Sequence, residues 1–216
     1  MTSTANDNSG TVYLVDDDPA IRASISDLLD SVGVRTRTFA SAEDFLDAQV
    51  VNLSGCLLLD VRLPGMSGME MQTKLSEAGF NIPIIIMTAN GDMPMVRKAL
   101  KSGAIEFLIK PFRDEELLEA VEQAFAVDRA RQRAGKLMNS IQARTGTLTK
   151  REHQVMALVA TGLTNKEVAE KLNLSVATIK LHRGQMMRKM EADTLADLVK
   201  IWERINSSGE SSGGSI

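Results

Sequence analysis

An α/β domain built on a doubly wound, five-stranded parallel sheet, followed by a smaller all-α domain, is the architecture this 216-residue chain predicts. Three observations point there. Over roughly the first 125 residues, short apolar runs alternate with segments whose apolar residues recur at helical spacing. The runs are near-continuously apolar, as strands buried on both faces are. From Thr149 onward the strand signals stop and only helical spacing remains.

Val12–Asp16 reads as the first strand. Ile21, Ile25, Leu28, Leu29 and Val32 follow at helical spacing, with Pro19 suited to a first helical turn. Val34–Phe39 alternates like a strand, and Ser41 with Asp44 three residues on opens a second helix. Leu57–Asp60 is the third strand, Gly68–Ala78 the third helix and Ile82–Met87 a strongly apolar fourth strand. A helix over Pro94–Lys101, a strand over Ile105–Ile109 and a helix over Asp114–Val127 complete the alternation. Residues 127–146 are charged and rich in Ala, Arg and Gln, and read as a helical linker. Thr149–Ala160 is a helix with Thr149 as N-cap, Glu152 at the capping-box position and Gly162 just past its end. Asn165–Leu172 is a short helix, Asn173–Ser175 a tight turn and Val176–Met190 a longer helix, and Leu195–Ile205 closes the set. A short helix, a turn and a longer helix is the helix-turn-helix signature. The polar residues 1–10 and the Ser/Gly-rich residues 207–216 read as disordered.

The composition, 44% hydrophobic and 25% charged, is that of an ordinary globular chain. No stretch approaches the ~20 apolar residues that span a bilayer. Met1–Gly10 lacks the hydrophobic segment of a secretion signal. The single cysteine, Cys56, has no internal disulfide partner and lies in a predicted strand, where an inert packed thiol is expected. A cytoplasmic protein with no membrane partner is implied. Residues 1–128 carry 10 Lys/Arg against 20 Asp/Glu, whereas residues 129–216 carry 15 against 8. An acidic first half and a basic second half suggest different partners, the second a polyanion.

The acidic half gathers chemistry at strand ends. Asp16, Asp17 and Asp18 end one apolar run and Asp60 ends another, and open α/β sheets place ligands at the carboxyl ends of their strands. Carboxylates at that density repel one another unless a cation sits among them, which calls for a hard divalent ion. Asp16, Asp17 and Asp60 offer oxygens to Mg²⁺, directly or through water, and the Arg62 backbone carbonyl offers another. The Asp60 carboxylate is then placed to attack phosphorus as a nucleophile. Lys110, at the end of the last strand, brings a cation, and Thr88, ending Ile84–Thr88, offers a hydroxyl to a phosphoryl oxygen. Pro64, Gly65 and Gly68 read as residues that shape the loop after Asp60.

The segments Val-Asp-Asp-Asp, Leu-Asp-Val-Arg-Leu-Pro-Gly-Met-Ser-Gly, Met-Thr-Ala and Lys-Pro-Phe, in that order, resemble the receiver domain of two-component response regulators, a CheY-like fold. The resemblance covers roughly residues 10–128. It implies that Asp60 accepts a phosphoryl group from a sensor histidine kinase, forming an acyl phosphate. It implies Mg²⁺ held by Asp16, Asp17, Asp60 and the Arg62 carbonyl, with Thr88 and Lys110 reading the phosphate. It also implies a rotating aromatic coupled to Thr88, here Phe107, whose missing hydroxyl leaves burial to drive its inward state.

In the basic half, a reading helix must project short polar or basic side chains from one face into the major groove. On Val176–Met190 the apolar residues of one stripe, Val176, Ile179, Met186 and Met190, read as core. The opposite face carries Ala177, Lys180, Leu181, Gly184 and Arg188, flanked by Thr178, His182, Gln185 and Lys189. Lys180 is the expected base-edge contact and Leu181 a contact for a thymine methyl. Thr178, His182 and Lys189, with Lys166 from the preceding helix, suit phosphates, which position a helix without specifying sequence. His153 reads as structural.

Leu148–Glu152, Gly162–Ala169, Ser175–His182 and Lys189-Met190 look like the LuxR-type helix-turn-helix domain. Joined to the first half, the chain resembles NarL/FixJ transcription regulators, with Gly184 standing where some relatives carry a basic residue. The domains implied are a receiver over 11–126, a helical linker over 127–146 and a DNA-binding domain over 147–206. The expected partners are the kinase, double-stranded promoter DNA, a second copy on phosphorylation, and RNA polymerase. An aspartyl-nucleophile phosphohydrolase is disfavoured, because such enzymes place a second acid where this chain has Arg62. An RNA-binding or protein-interaction role for the helical half is disfavoured by the Asn173–Ser175 turn and the basic outward face.

Overall fold

Apolar strand runs bury both faces, so the sheet must be covered by helices on each side. In the computed structural model, which describes residues 10–48, 53–89 and 103–210, this is the arrangement. Five strands, β1 (Thr11–Val15), β2 (Arg35–Phe39), β3 (Gly55–Asp60), β4 (Ile84–Thr88) and β5 (Glu106–Ile109), pair in parallel in the order β2-β1-β3-β4-β5. The expected helix Pro94–Lys101 lies outside the described residues, as do residues 1–9 and 211–216.

Alternation along the strands sorts their side chains into two cores. Tyr13, Val15, Leu57, Leu59, Ile84 and Ile86 face one side, where Phe45 of α2 (Ala42–Asp47) and Met71 and Leu75 of α3 (Gly68–Glu77) pack. Val12, Leu14, Cys56, Leu58, Ile85, Met87 and Leu108 face the other. There they meet Ile25 and Leu29 of α1 (Pro19–Ser31) and Leu117, Val121, Ala124 and Phe125 of α4 (Asp114–Gly146). Caps fix the helix starts: Asp18 accepts from the Ala20 and Ile21 amides, and Ser67 with Glu70 forms a full capping box.

The chain divides into two compact units, Met1–Arg131 and Gln132–Ile216. Helix α4 runs 33 residues without a break, because the Ala/Arg/Gln-rich stretch has high helix propensity and no proline to stop it. Within the second unit, α5 (Lys150–Ala160), α6 (Asn165–Leu172), α7 (Val176–Lys189) and α8 (Leu195–Glu210) enclose a core of Ile141, Val155, Met156, Val159, Val168, Ile179, Met186, Met190 and Leu198. Capping boxes at Thr149/Glu152 and Thr164/Glu167 start α5 and α6, and Asn173, left-handed at φ 52°, turns the chain into Ser175, the N-cap of α7. Two expectations change. Helix α8 continues through Ser207 to Glu210 rather than ending at Ile205, since extending a formed helix is cheap and no proline intervenes. Val176 is 41% exposed rather than core, because it begins α7 and projects beyond the packed stripe.

Candidate functional site

Order β2-β1-β3-β4-β5 reverses direction between β1 and β3, and such a switch point opens a crevice at the strand ends. Val15 pairs with Leu59, so Asp16 and Asp60 leave adjacent strands at the same level. Both carboxylates are buried, and each of Asp16, Asp17 and Asp60 offers an oxygen within 4.8 Å of the others. Lys110 enters from the end of β5, where its amide donates to the Thr88 carbonyl at 2.8 Å. Its Nζ lies 2.5 Å from Asp16 Oδ2 and 3.4 Å from Asp60 Oδ1. Burial pushes the Asp60 carboxyl above its ordinary pKa, and Asp16 and Asp17 push the same way against the opposing pull of Lys110. One ammonium among three carboxylates leaves negative charge in excess, which is the donor chemistry a hard cation takes.

Thr88 is fully buried at the end of β4, and Phe107, opposite Ile86, packs half-buried against the core on that face of the sheet. Arg62, two residues after Asp60 and the position weighed for a phosphohydrolase's second acid, has an exposed side chain. Three features of the surrounding loops support the site, and the first two were not legible from the motifs. Glu43 Oε1 accepts from the Met66 amide at 3.0 Å, clasping the loop after Asp60. Arg22 Nη1 donates to the Asp16 carbonyl at 2.6 Å. Gly68 approaches Asp60 so closely that a Cβ there would stand 2.1 Å from the Asp60 carbonyl oxygen. A glycine in a motif signals such an approach, but side chains reaching back across a loop leave no periodic trace.

On α7 the two faces separate as the spacing predicts. Ile179, Met186 and Met190, the last its C-cap, are fully buried. Ala177, Lys180, Leu181, Gly184 and Arg188 are exposed, and Thr178, His182, Gln185 and Lys189 are half-buried between. Lys166 is exposed on α6, and Arg183 Nη1 ties α7 to α6 by donating to Asn165 Oδ1 at 2.9 Å. Thr178 shares a hydrogen bond with Ser175 across the first turn, and His182 buries Nδ1 without a partner among the described residues. Lys189 has partners that its spacing does not announce. Its Nζ donates to the buried Glu152 carboxylate at 2.7 Å and to the Thr147 carbonyl at 3.0 Å, so its ammonium lies against the domain. His153 Nε2 lies 3.1 Å from the Thr145 carbonyl, a local bond within the unit.

Comparison with known proteins matches both halves. Residues 12–122 fit the model of the response regulator receiver domain, and residues 146–202 that of bacterial regulatory proteins of the luxR family. Nodulation protein W of Bradyrhizobium diazoefficiens is 46% identical over 197 residues, covering 91% of this chain and 87% of that protein. Transcriptional regulatory protein FixJ of the same organism is 38% identical over 192 residues, covering 89% and 94%. The solved structure of the response regulator StyR superposes with a TM-score of 0.80 at 42% identity, covering 90% of this chain and 98% of that one.

A five-stranded receiver followed by a LuxR-type helical domain defines a two-component regulator of transcription, not an enzyme. The chain belongs to the response-regulator family, in the group that carries a luxR-family DNA-binding domain. Among the described residues no helix is long and apolar enough to cross a membrane.

Proposed function

We propose that Asp60 is the phosphoryl acceptor of this regulator and that a sensor histidine kinase is its donor. The observation that carries this reading is the Lys110 ammonium set between Asp16 and Asp60, with the Asp17 carboxylate beside them. An Asp60 oxygen attacks the phosphorus of a phosphohistidine; the new P–O bond forms as the P–N bond breaks, and its electron pair returns to the imidazole. Asp16, Asp17, Asp60 and the Arg62 carbonyl would hold Mg²⁺, which would supply charge neutralisation at the phosphoryl oxygens. Lys110 then pairs with a phosphoryl oxygen, the Thr88 hydroxyl donates to another, and Phe107 follows Thr88 inward.

Phosphorylated chains pair, and two linked readers engage two half-sites of promoter DNA with the gain of high effective concentration. Lys180 and Leu181 meet base edges, while Lys166, Thr178 and His182 meet phosphates. The bound dimer acts on transcription in the cytoplasm through RNA polymerase. Labelling with a small phosphodonor and Mg²⁺ tests the first step: Asp60→Asn is expected to lose the acyl phosphate, and persistent labelling of that variant refutes the assignment. Gel-shift titration tests the second: Lys180→Ala is expected to lower discrimination between operator and random duplex, and an unchanged ratio counts against it.

A further inference from the structure

Helical side chains lean toward the helix N-terminus, so a long side chain one turn into a helix reaches back over the loop that precedes it. Arg22 is such a residue in α1, and its guanidinium lies over the Asp16–Asp18 loop, 2.6 Å from the Asp16 carbonyl oxygen. Each oxygen of the Asp16 carboxylate has a partner in the protein, Oδ1 the Asp18 amide at 2.9 Å and Oδ2 Lys110, which fixes its direction. Asp17 differs. It is exposed, and among the described residues its carboxylate accepts no hydrogen bond and forms no ion pair. One of its oxygens nevertheless lies within 4.8 Å of the other two carboxylates, so the backbone path at Asp17 matters to its direction. Because the Asp16–Asp17 peptide unit is planar and stiff, a donor fixed to its carbonyl fixes the plane, and with it the direction in which Asp17 leaves the chain.

We propose that Arg22 is a positioning residue for the cation site, acting through the Asp16 carbonyl to orient the Asp17 ligand. This rests on reading the acidic crevice as a Mg²⁺ site. Mg²⁺ demands near-ideal octahedral geometry at short distance, whereas Ca²⁺ tolerates more ligands and looser angles. A slackened Asp17 therefore penalises Mg²⁺ more than Ca²⁺. Electrostatics alone gives a different signature: removing a guanidinium near the site tightens both ions alike, since they carry the same charge.

Backbone amide shifts of the full chain, titrated separately with MgCl₂ and CaCl₂, distinguish these. Arg22→Ala is expected to weaken Mg²⁺ binding about fivefold and Ca²⁺ binding less than about twofold. Arg22→Lys, which keeps a donor on a long stem, is expected to recover most of the Mg²⁺ loss. Equal changes for the two ions, no change, or tighter Mg²⁺ binding overturn the positioning role while leaving the acidic site standing. An absence of Mg²⁺-dependent shifts in the unsubstituted chain overturns the site reading and the proposal with it. Arg22→Gln, helix-compatible but too short to reach the carbonyl, carries the same comparison where the alanine variant does not fold.

Discussion

Lys189 Nζ lies 2.7 Å from Oε2 of Glu152, a carboxylate only 2% exposed that also caps α5. A basic residue at the end of α7 is thus part of the core's polar wiring. Removing the ammonium leaves a buried carboxylate short of a partner. Lys189→Ala is therefore expected to destabilise the second unit by about 1–2 kcal/mol, less than a fully buried pair because Lys189 remains partly solvated. Denaturant unfolding followed by the fluorescence of Trp202, which packs against that core and is the chain's one tryptophan, measures it. An unchanged midpoint would remove the structural role.

The same pair sets an acid limit. Burial pushes Glu152 up, but the Lys189 ammonium and the amide and hydroxyl of Thr149 outweigh it and hold its pKa below the ordinary carboxylate value. A depressed folded-state pKa contributes stability that is full above the unfolded value, about 4.3, and is lost as pH falls through the lower folded value. The Trp202-reported stability of the second unit is expected to fall over that acid range. Glu152→Gln should flatten that part of the pH profile. A variant whose acid profile matches the parent's would locate the sensitivity elsewhere.

The sheet, its acidic strand ends and the two faces of α7 were legible because each leaves a periodic or motif-level mark: apolar runs, terminal aspartates, and a stripe of Ile179, Met186 and Met190. The ion pair of Lys189 was not legible, for a physical reason. Spacing places a residue on a flank, but a four-carbon stem lets its charge turn either outward or into the domain. Arg22 and Glu43 were silent because the partners named for them are backbone groups, which any sequence supplies, as is the Gly55 amide that the buried Asp128 holds.

Asp128 ties α4 to the start of β3. Its Oδ2 accepts from the Gly55 amide at 2.8 Å and its Oδ1 from Arg131 at 2.5 Å, while Arg131 also donates to the Leu53 carbonyl at 2.8 Å. Asp128→Ala leaves the buried Gly55 amide unpaired and takes the carboxylate from Arg131, which keeps the Leu53 carbonyl, at a cost of about 2–3 kcal/mol. It also bears on Cys56, whose thiol is pushed up to about 12 by burial first and by Asp128 second. The native thiol should therefore be inert to alkylation at pH 8. In Asp128→Ala, alkylation is expected to quicken only as far as unfolding does, so a fast reaction in the folded parent would contradict the buried thiol.

Gly184 offers a gain-of-function test of the α7 face. It is exposed, its φ is not positive and a Cβ there meets nothing within 4 Å, so a larger side chain fits without strain. Replacing glycine inside a helix also removes a propensity cost of up to about 1 kcal/mol. Gly184→Lys sets a new ammonium on the face that carries Lys180 and Arg188, both exposed. Were that face against duplex DNA, one further phosphate would be neutralised. The slope of log K against log salt should then steepen by about 0.9, with tighter binding to operator and random duplex alike. The neutral Gly184→Gln separates charge from helix propensity, since it should share the stability gain but keep the parent's slope. A slope unchanged in Gly184→Lys would place the DNA on another surface of the second unit.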